Sequence, residues 1–434
     1  MKLQPTLTFK VATAVVALLL IIGFVHFFGP VPDRSTKSAK MDVWFFALDS
    51  REGGIHMYAK QAVLSAKAKT SLIPVCLYHG DPTIITPIEH WLLDNDVVVL
   101  HTEGNSFMQE IEALAPISLG IGTWLRMVIP QAVQALQEPS GEFEGVRSVQ
   151  RGAGPGPGSP GGLNASRSSS PYVGHEQFKG VNLQYVLYTD VDVHFLGDVN
   201  AALRAEHMPQ YVACAVQGNY GSTRYKELTM YNAGVMVMNV PGYSSVLGQF
   251  REAVIGHISR AVKGHYWVGS QGAFKNFFPI KLGTWDYLMA LAVRGTHPSF
   301  HTEQGATYHA LRLPKELEWE PYLGVNPAAL LLHWHGPKMK NVKDCAAAAL
   351  TVEQRLDGLS SSSDPNIQKL IAFNSHSAGG YAAAVLVFQH YYAQLCGGEL
   401  DLGAYGESVK SQVPLFSSFA SLNSTSTTGR RLRR

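Results

Sequence analysis

The stretch Tyr185-Val-Leu-Tyr-Thr-Asp190-Val-Asp192-Val-His194 runs an apolar strand into two carboxylates. In extended backbone, residues i and i+2 face the same way, so Asp190 and Asp192 project together while Val191 turns to the core. Two close carboxylates repel unless a cation or a proton sits between them. Hard oxygen ligands suit Mn²⁺ or Mg²⁺, ions that keep coordination positions open for substrate phosphates. The plainer alternative is an acidic pair on the surface at a strand end.

Around this stretch, apolar runs alternate with helical spacing. Asp42–Leu48, Leu72–Tyr78 and Val97–His101 read as strands before it, with helical patterns over Ile55–Lys67 and Trp124–Leu136. Tyr185–Tyr188 is the strand of the stretch itself. Tyr211–Val216 and Gly234–Val240 follow as strands, and Ser244–Val262 is helical. The alternation predicts an α/β fold, a mixed and mainly parallel sheet flanked by helices. In such sheets ligands sit at the carboxyl ends of the strands, which is where the acidic pair falls.

A second strand-to-loop transition is Leu330-Leu-Leu-His333-Trp-His335-Gly336-Pro337-Lys338-Met-Lys340. A neutral imidazole is a good third ligand beside two carboxylates, and His333 and His335 share a face if the strand runs through both. Gly336 allows close backbone approach, and Pro337 stops the strand. Lys338 or Lys340 can meet a phosphate as a point charge. With 17 His in the chain, a satisfied core or surface histidine is the competing reading.

Composition sets outer limits. Lys+Arg is 35 against Asp+Glu 33, a net charge of +2. That balance argues against nucleic acid as a partner, which needs a basic face. With 46% hydrophobic and 16% charged residues, the chain can build a large core. Four Cys without a C-x-x-C pair exclude a disulfide scaffold and a zinc ribbon. Cys345 and Cys396 flank a helical-looking segment and either pair in an oxidising lumen or remain two buried thiols.

Val11–Phe28 holds 18 residues without Asp, Glu, Lys or Arg, about 27 Å of helix, near the thickness of a bilayer core. We read an N-terminal transmembrane signal-anchor over 11–28, with a cytosolic tail over 1–10 and a short stem over 29–40; a cleaved signal peptide is the alternative. Sequons at Asn164 and Asn423 agree with a lumenal side. Residues 139–172 include a Gly/Pro/Ser-rich run that cannot offset its ordering entropy, so a disordered insertion is expected there. Residues 346–434 are expected to form a helical extension ending in a disordered basic tail. Trp285 and Trp319 are candidates to stack on a glycan, with core packing the plainer role.

Taken in order, the motifs resemble glycosyltransferase family 8, the glycogenin-like group with a GT-A (Rossmann-like) fold. The resemblance covers roughly Met41 to Lys343, within a catalytic domain expected over 41–345, and rests on five places. Met41-Asp-Val-Trp-Phe-Phe-Ala47-Leu-Asp49 is similar to the family's opening strand, and Trp124-Leu-Arg126 to its Tyr-x-Arg element. Tyr188-Thr-Asp190-Val-Asp192 matches its metal motif, and Tyr231-Asn232-Ala233-Gly234 its Asn-Ala-Gly strand. His333-Trp-His335-Gly336 matches its His-x-x-Gly loop.

The resemblance implies a retaining, metal-dependent transfer of sugar from a nucleotide diphosphate sugar, a UDP-sugar by type, to a glycan, protein or lipid acceptor. It implies Mn²⁺ or Mg²⁺ on Asp190, Asp192 and His333. It puts Ala47, Asp49, Arg126 and Gly336 at the nucleotide, Asn232 and Gln271 at the sugar, and Lys338 at the leaving diphosphate. By analogy the enzyme is a single-pass type II protein of the Golgi or ER membrane with a lumenal catalytic domain. Ser270 stands where the family carries Asp before Gln271, and the family's closing Lys-Pro-Trp is absent. A catalytically inactive binding relative is therefore the alternative. A D-x-D phosphatase is a further one, disfavoured because three strands precede the pair.

Overall fold

The computed structural model describes residues 40–50, 54–114, 121–149, 176–216, 231–263, 269–280, 308–321, 324–334, 345 and 375–397. The anchor segment Val11–Phe28, both sequons, Trp285, His335, Gly336, Lys338, Lys340 and the C-terminal tail lie outside these residues. Among the described residues no helix is long and apolar enough to cross a membrane.

Strand β1 (Val43–Asp49) shows why the sheet is central. Its alternate side chains enter two different cores: Val43 and Phe45 on one face, Trp44, Phe46 and Leu48 on the other. A strand apolar on both faces must be covered on both. Helix α1 (Gly54–Lys69) supplies Ala59, Ala62, Val63 and Ala66 to the Trp44 side. Then come β2 (Ile73–His79), α2 (Pro87–Asp94), β3 (Val98–His101) and α3 (Ser106–Leu114). The region read as one helix from Trp124 begins instead as a 3₁₀ turn, Leu125–Val128, and becomes α4 at Ile129–Gln137. Pro130 near the helix start explains the break, since proline donates no N–H and fits the first turn.

A hairpin follows, β4 (Glu142–Phe143) and β5 (Val146–Ser148). This corrects the expected disordered insertion, whose first residues are ordered. Phe143 pairs with Val146 across Glu144 and Gly145, both at positive φ (45° and 76°), the signature of a two-residue hairpin turn. Val146 is buried in the core.

The remaining strands are β6 (Tyr185–Thr189), β7 (Val193–Phe195), β8 (Val212–Val216) and β9 (Tyr231–Asn239), followed by α5 (Val240–Ser245), α6 (Leu247–Lys263) and α7 (Ser270–Phe277). Then come β10 (Ala310–Arg312), β11 (Leu331–His333) and α8 (Ser375–Cys396). The large sheet has the order β10-β8-β9-β6-β1-β2-β3-β5-β4, and β7 pairs with β11 in a separate ladder. In the large sheet β9 and β5 run against the other strands, so the sheet is mixed and mostly parallel.

The chain builds β1, β2 and β3 outward in one direction, then returns to place β6 on the other side of β1. Such a reversal leaves a crevice beyond the carboxyl ends of the two strands where the order switches, here β1 and β6. Helix α8 packs on α1 and on the β7–β11 ladder through Tyr58, Trp334 and Phe388. A Cys345–Cys396 disulfide ties its end, so of the two sequence alternatives the paired one is realised. Cys76 and Cys214 are buried and free.

Candidate metal centre

The crevice beyond β1 and β6 contains the acidic pair. Asp190 follows the last residue of β6, and its N–H donates to the carbonyl of Gly234 in β9 at 2.7 Å. Asp192 immediately precedes β7. Its carbonyl accepts from the Trp334 N–H at 2.8 Å, and the β7–β11 register sets His333 opposite Val193. One oxygen from each Asp and one His333 nitrogen lie within 4.8 Å of one another. His333 Nε2 is 3.6 Å from Asp192 Oδ1.

The route to this geometry differs from the sequence argument. Asp190, Val191 and Asp192 form a bend between two strands, not one extended run. Val191 is buried as expected. The carboxylates converge because the bend is pinned at both ends by the bonds from Asp190 and to Asp192.

Arg126 holds the first carboxylate. Its Nη2 donates to Asp190 Oδ1 at 2.9 Å, its Nη1 to the carbonyl of Ala233, and its Nε to the carbonyl of Thr123 at 2.9 Å. The guanidinium lies over the Tyr188 ring, 4.7 Å from its centre, and the Tyr188 hydroxyl donates to the same Asp190 oxygen at 3.0 Å. Arg126 is buried, while Asp190 keeps partial access. The side chain expected at the nucleotide is thus engaged in positioning a metal-ligand candidate. A buried guanidinium needs such partners, and each bond to it also fixes them.

His333 is oriented from behind. Its Nδ1 is 2.9 Å from Glu318 Oε1, which leaves Nε2 toward Asp192. Burial disfavours the imidazolium, but the hydrogen bonds to Asp192 and Glu318 outweigh it and hold the His333 pKa well above the ordinary histidine value. A divalent ion would take over the role of that proton.

Two oxygens and one imidazole nitrogen suit Mn²⁺ or Mg²⁺. Gly234 forms the floor. A Cβ there would stand 2.6 Å from His333 Cε1 and 2.7 Å from Asp190 Oδ2, so no other residue fits without displacing a ligand. The residues present therefore fit the ion the motif implies.

The other expected site residues fall around this centre. Ala47 and Asp49 lie at the carboxyl end of β1, next to β6, and Gly122 packs on Asp49, where an added Cβ would stand 3.4 Å from Oδ2. Asn232 is buried. Its Oδ1 accepts from the Gly234 N–H at 2.8 Å, and its Nδ2 is 3.2 Å from His333 Nδ1. A bulge in the β8–β9 ladder after Cys214 sets Asn232 opposite Ala215, a local distortion common beside active sites. Gln271 sits in the first turn of α7 and accepts from the Ala233 N–H at 3.3 Å. Ser270 beside it is buried. Trp319 is a core residue bonded through Nε1 to the carbonyl of Gly324, not a glycan platform. Sequence reasoning missed Glu318 and Gly122. Both act through a neighbour brought close only by folding, so neither carries a local pattern.

No protein-family model matches the sequence, and no curated protein matches it. Similar solved structures are glycosyltransferases. The apo form of glycosyltransferase GlyE of Streptococcus pneumoniae TIGR4 is 14% identical, with a TM-score of 0.35, over 68% of this chain and 55% of that one. The chain thus spans about half the length of GlyE. Galactosyltransferase LgtC in complex with donor and acceptor sugar analogs is 12% identical, with a TM-score of 0.36, over 75% of this chain and 99% of that one. Apo mouse xyloside xylosyltransferase 1 is 10% identical, with a TM-score of 0.32, over 68% and 97%. At identities and TM-scores this low, the functional reading stands on the chain's own residues.

Proposed function

We propose that this chain is a metal-dependent glycosyltransferase that moves a sugar from a nucleotide diphosphate sugar to a glycan, protein or lipid hydroxyl with retention of configuration. The observation that carries the proposal is the convergence of Asp190, Asp192 and His333 at the switch point of the sheet. A diphosphate donor supplies the negative charge for which such a centre is suited.

Asp190, Asp192 and His333 would hold Mn²⁺ or Mg²⁺, whose chemistry is to stabilise charge on the departing diphosphate. Arg126, assigned to the nucleotide, also keeps Asp190 in place together with Tyr188. The end of β1, with Ala47 and Asp49, borders the nucleotide. Ala233 and Gln271, joined by their hydrogen bond, border the sugar. Lys338 is assigned to the leaving phosphate. In the reaction the acceptor oxygen bonds to the anomeric carbon as the bond from that carbon to the phosphate oxygen breaks, and the hydroxyl proton passes to the departing diphosphate. We assign front-face attack, because Gln271 is a weak nucleophile whose Oε1 is already engaged. NMR of the product would show the donor's anomeric configuration; an inverted product contradicts the assignment.

We further propose a type II protein of the Golgi or ER membrane, held by Val11–Phe28. The Cys345–Cys396 disulfide supports an oxidising compartment. The functional test is release of nucleoside diphosphate from a panel of nucleotide sugars with Mn²⁺, beside an Asp190→Asn/Asp192→Asn variant. Release from one donor, lost on chelation and in the variant, is expected. Release of inorganic phosphate from simple phosphomonoesters instead would identify a phosphatase.

A further inference from the structure

We propose that Glu318 is the positioning residue of the centre: it fixes the His333 ring so that Nε2 is presented to the metal ion. The inference rests on the metal-binding reading above.

The backbone brings Glu318 there. Residues 318–320 run beside β11 as an extra rung, with the Trp319 N–H donating to the Leu331 carbonyl at 2.8 Å and the His333 N–H to the Trp319 carbonyl at 2.9 Å. The Trp319 ring is sunk in the core, which anchors the rung. This pairing sets Glu318 diagonally across from His333, and its side chain closes the gap to 2.9 Å. Both side chains are almost wholly buried, at 3% and 2% exposure, so water does not compete for their 2.9 Å contact.

The hydrogen-bond pattern gives a proton on His333 Nδ1 an acceptor in Glu318 and none in Asn232. Asn232 Oδ1 accepts from the Gly234 N–H, so its amide NH₂ points the other way, toward His333 and Glu318. An NH₂ cannot accept a proton from the ring. The His333 Nδ1 proton therefore goes to Glu318 Oε1, 2.9 Å away. Glu318 Oε2 has no hydrogen-bond partner. Among the described residues the group hydrogen-bonded to this carboxylate is His333, a member of the centre. A carboxylate on the far nitrogen of a ligating imidazole selects the tautomer, fixes the ring plane and raises the basicity of the near nitrogen. Loss of such a partner typically weakens metal binding by about 10- to 100-fold.

The test is Mn²⁺ affinity, read from the electron paramagnetic resonance signal of free Mn²⁺ in titrations of the full chain. Wild type, Glu318→Gln, Glu318→Asp and Asp192→Asn are compared, with folding followed by circular dichroism. The expected result is a folded Glu318→Gln protein whose Mn²⁺ dissociation constant rises roughly 10- to 100-fold, and a smaller rise for Glu318→Asp. Donor KM at limiting Mn²⁺ should rise too and recover at saturating Mn²⁺, which a purely structural defect would not do. Mn²⁺ affinity within about twofold of wild type in Glu318→Gln, with Asp192→Asn impaired, overturns the inference and leaves the metal site standing. Unchanged affinity in Asp192→Asn as well overturns the metal site itself. Failure of both Glu318 variants to fold assigns the residue to the core and overturns the positioning role.

Discussion

His333 and His194 lie on opposite faces of one short β-ladder, a single register step apart: His333 faces Val193, and Leu332 faces His194. Both are buried. His333 stands among carboxylates and keeps its proton strongly. His194 looks the other way, into the cluster under α8, stacked on Tyr391 at 5.6 Å. Its Nε2 meets Gln61 Oε1 at 2.8 Å, and its Nδ1 accepts from Trp334 Nε1 at 3.3 Å. Burial pushes its pKa down to about 3, so it remains a neutral hydrogen-bonding core residue. The same side chain on the same ladder is a ligand candidate on one face and a structural element on the other. The neighbours, not the residue type, decide which.

If the two faces are independent, damage to one should spare the other. Phe388→Ala removes a ring packed against Tyr58, Trp334 and Tyr392 on the His194 face. It should cost about 4 kcal/mol of stability in urea unfolding, while Mn²⁺ affinity of the folded protein holds. A parallel loss of Mn²⁺ affinity would show that the ladder transmits the damage.

On the other face, Asp192→Asn should lower turnover by roughly 100- to 1000-fold, about 3–4 kcal/mol in the transition state, with little change in unfolding. Turnover near wild type would remove Asp192 from the metal site.

Gly234→Ala places a methyl group against His333 and Asp190. It should weaken Mn²⁺ binding by about 2 kcal/mol, some 30-fold, and leave the His194 face untouched. Equal affinity would mean that the floor of the site yields.

The smallest effect is a pH dependence. Below pH about 6.5 the unfolded chain protonates His194, whereas the folded chain holds it neutral down to about 3. The unfolded state binds more protons in that window, so stability falls as pH drops, by about 2 kcal/mol from this group at pH 5. His194→Gln should flatten the fall in urea midpoint between pH 7 and pH 5; an unchanged slope would assign the proton uptake elsewhere.

The sequence makes one side of this comparison legible and hides the other. β1, β2, β3, β6 and β8 fall within a residue or two of their apolar runs, because strands buried on both faces write themselves as continuous apolar residues; β9 starts three residues earlier than its run. Asp190, Asp192 and His333 were visible because strand ends concentrate chemistry. The β4–β5 hairpin was hidden by its Gly-rich neighbourhood, although Glu144-Gly145 is a workable tight turn. Arg126 is read for the nucleotide, and its bonds to Asp190, Ala233 and Thr123 are a second role that the Trp-x-Arg spacing does not announce. Glu318 meets His333 only through the rung beside β11, a contact 15 residues apart in the chain with no periodicity to announce it.

The most direct test of the central claim is a linked titration: Mn²⁺ binding with and without uridine diphosphate, in wild type and in Asp190→Asn/Asp192→Asn. A shared centre requires each ligand to tighten the other by the same factor. The expected result is one Mn²⁺ per chain, bound more tightly with the nucleotide present, and both effects lost in the double variant. Mn²⁺ bound equally well by the double variant, or a nucleotide indifferent to the metal, would contradict the account.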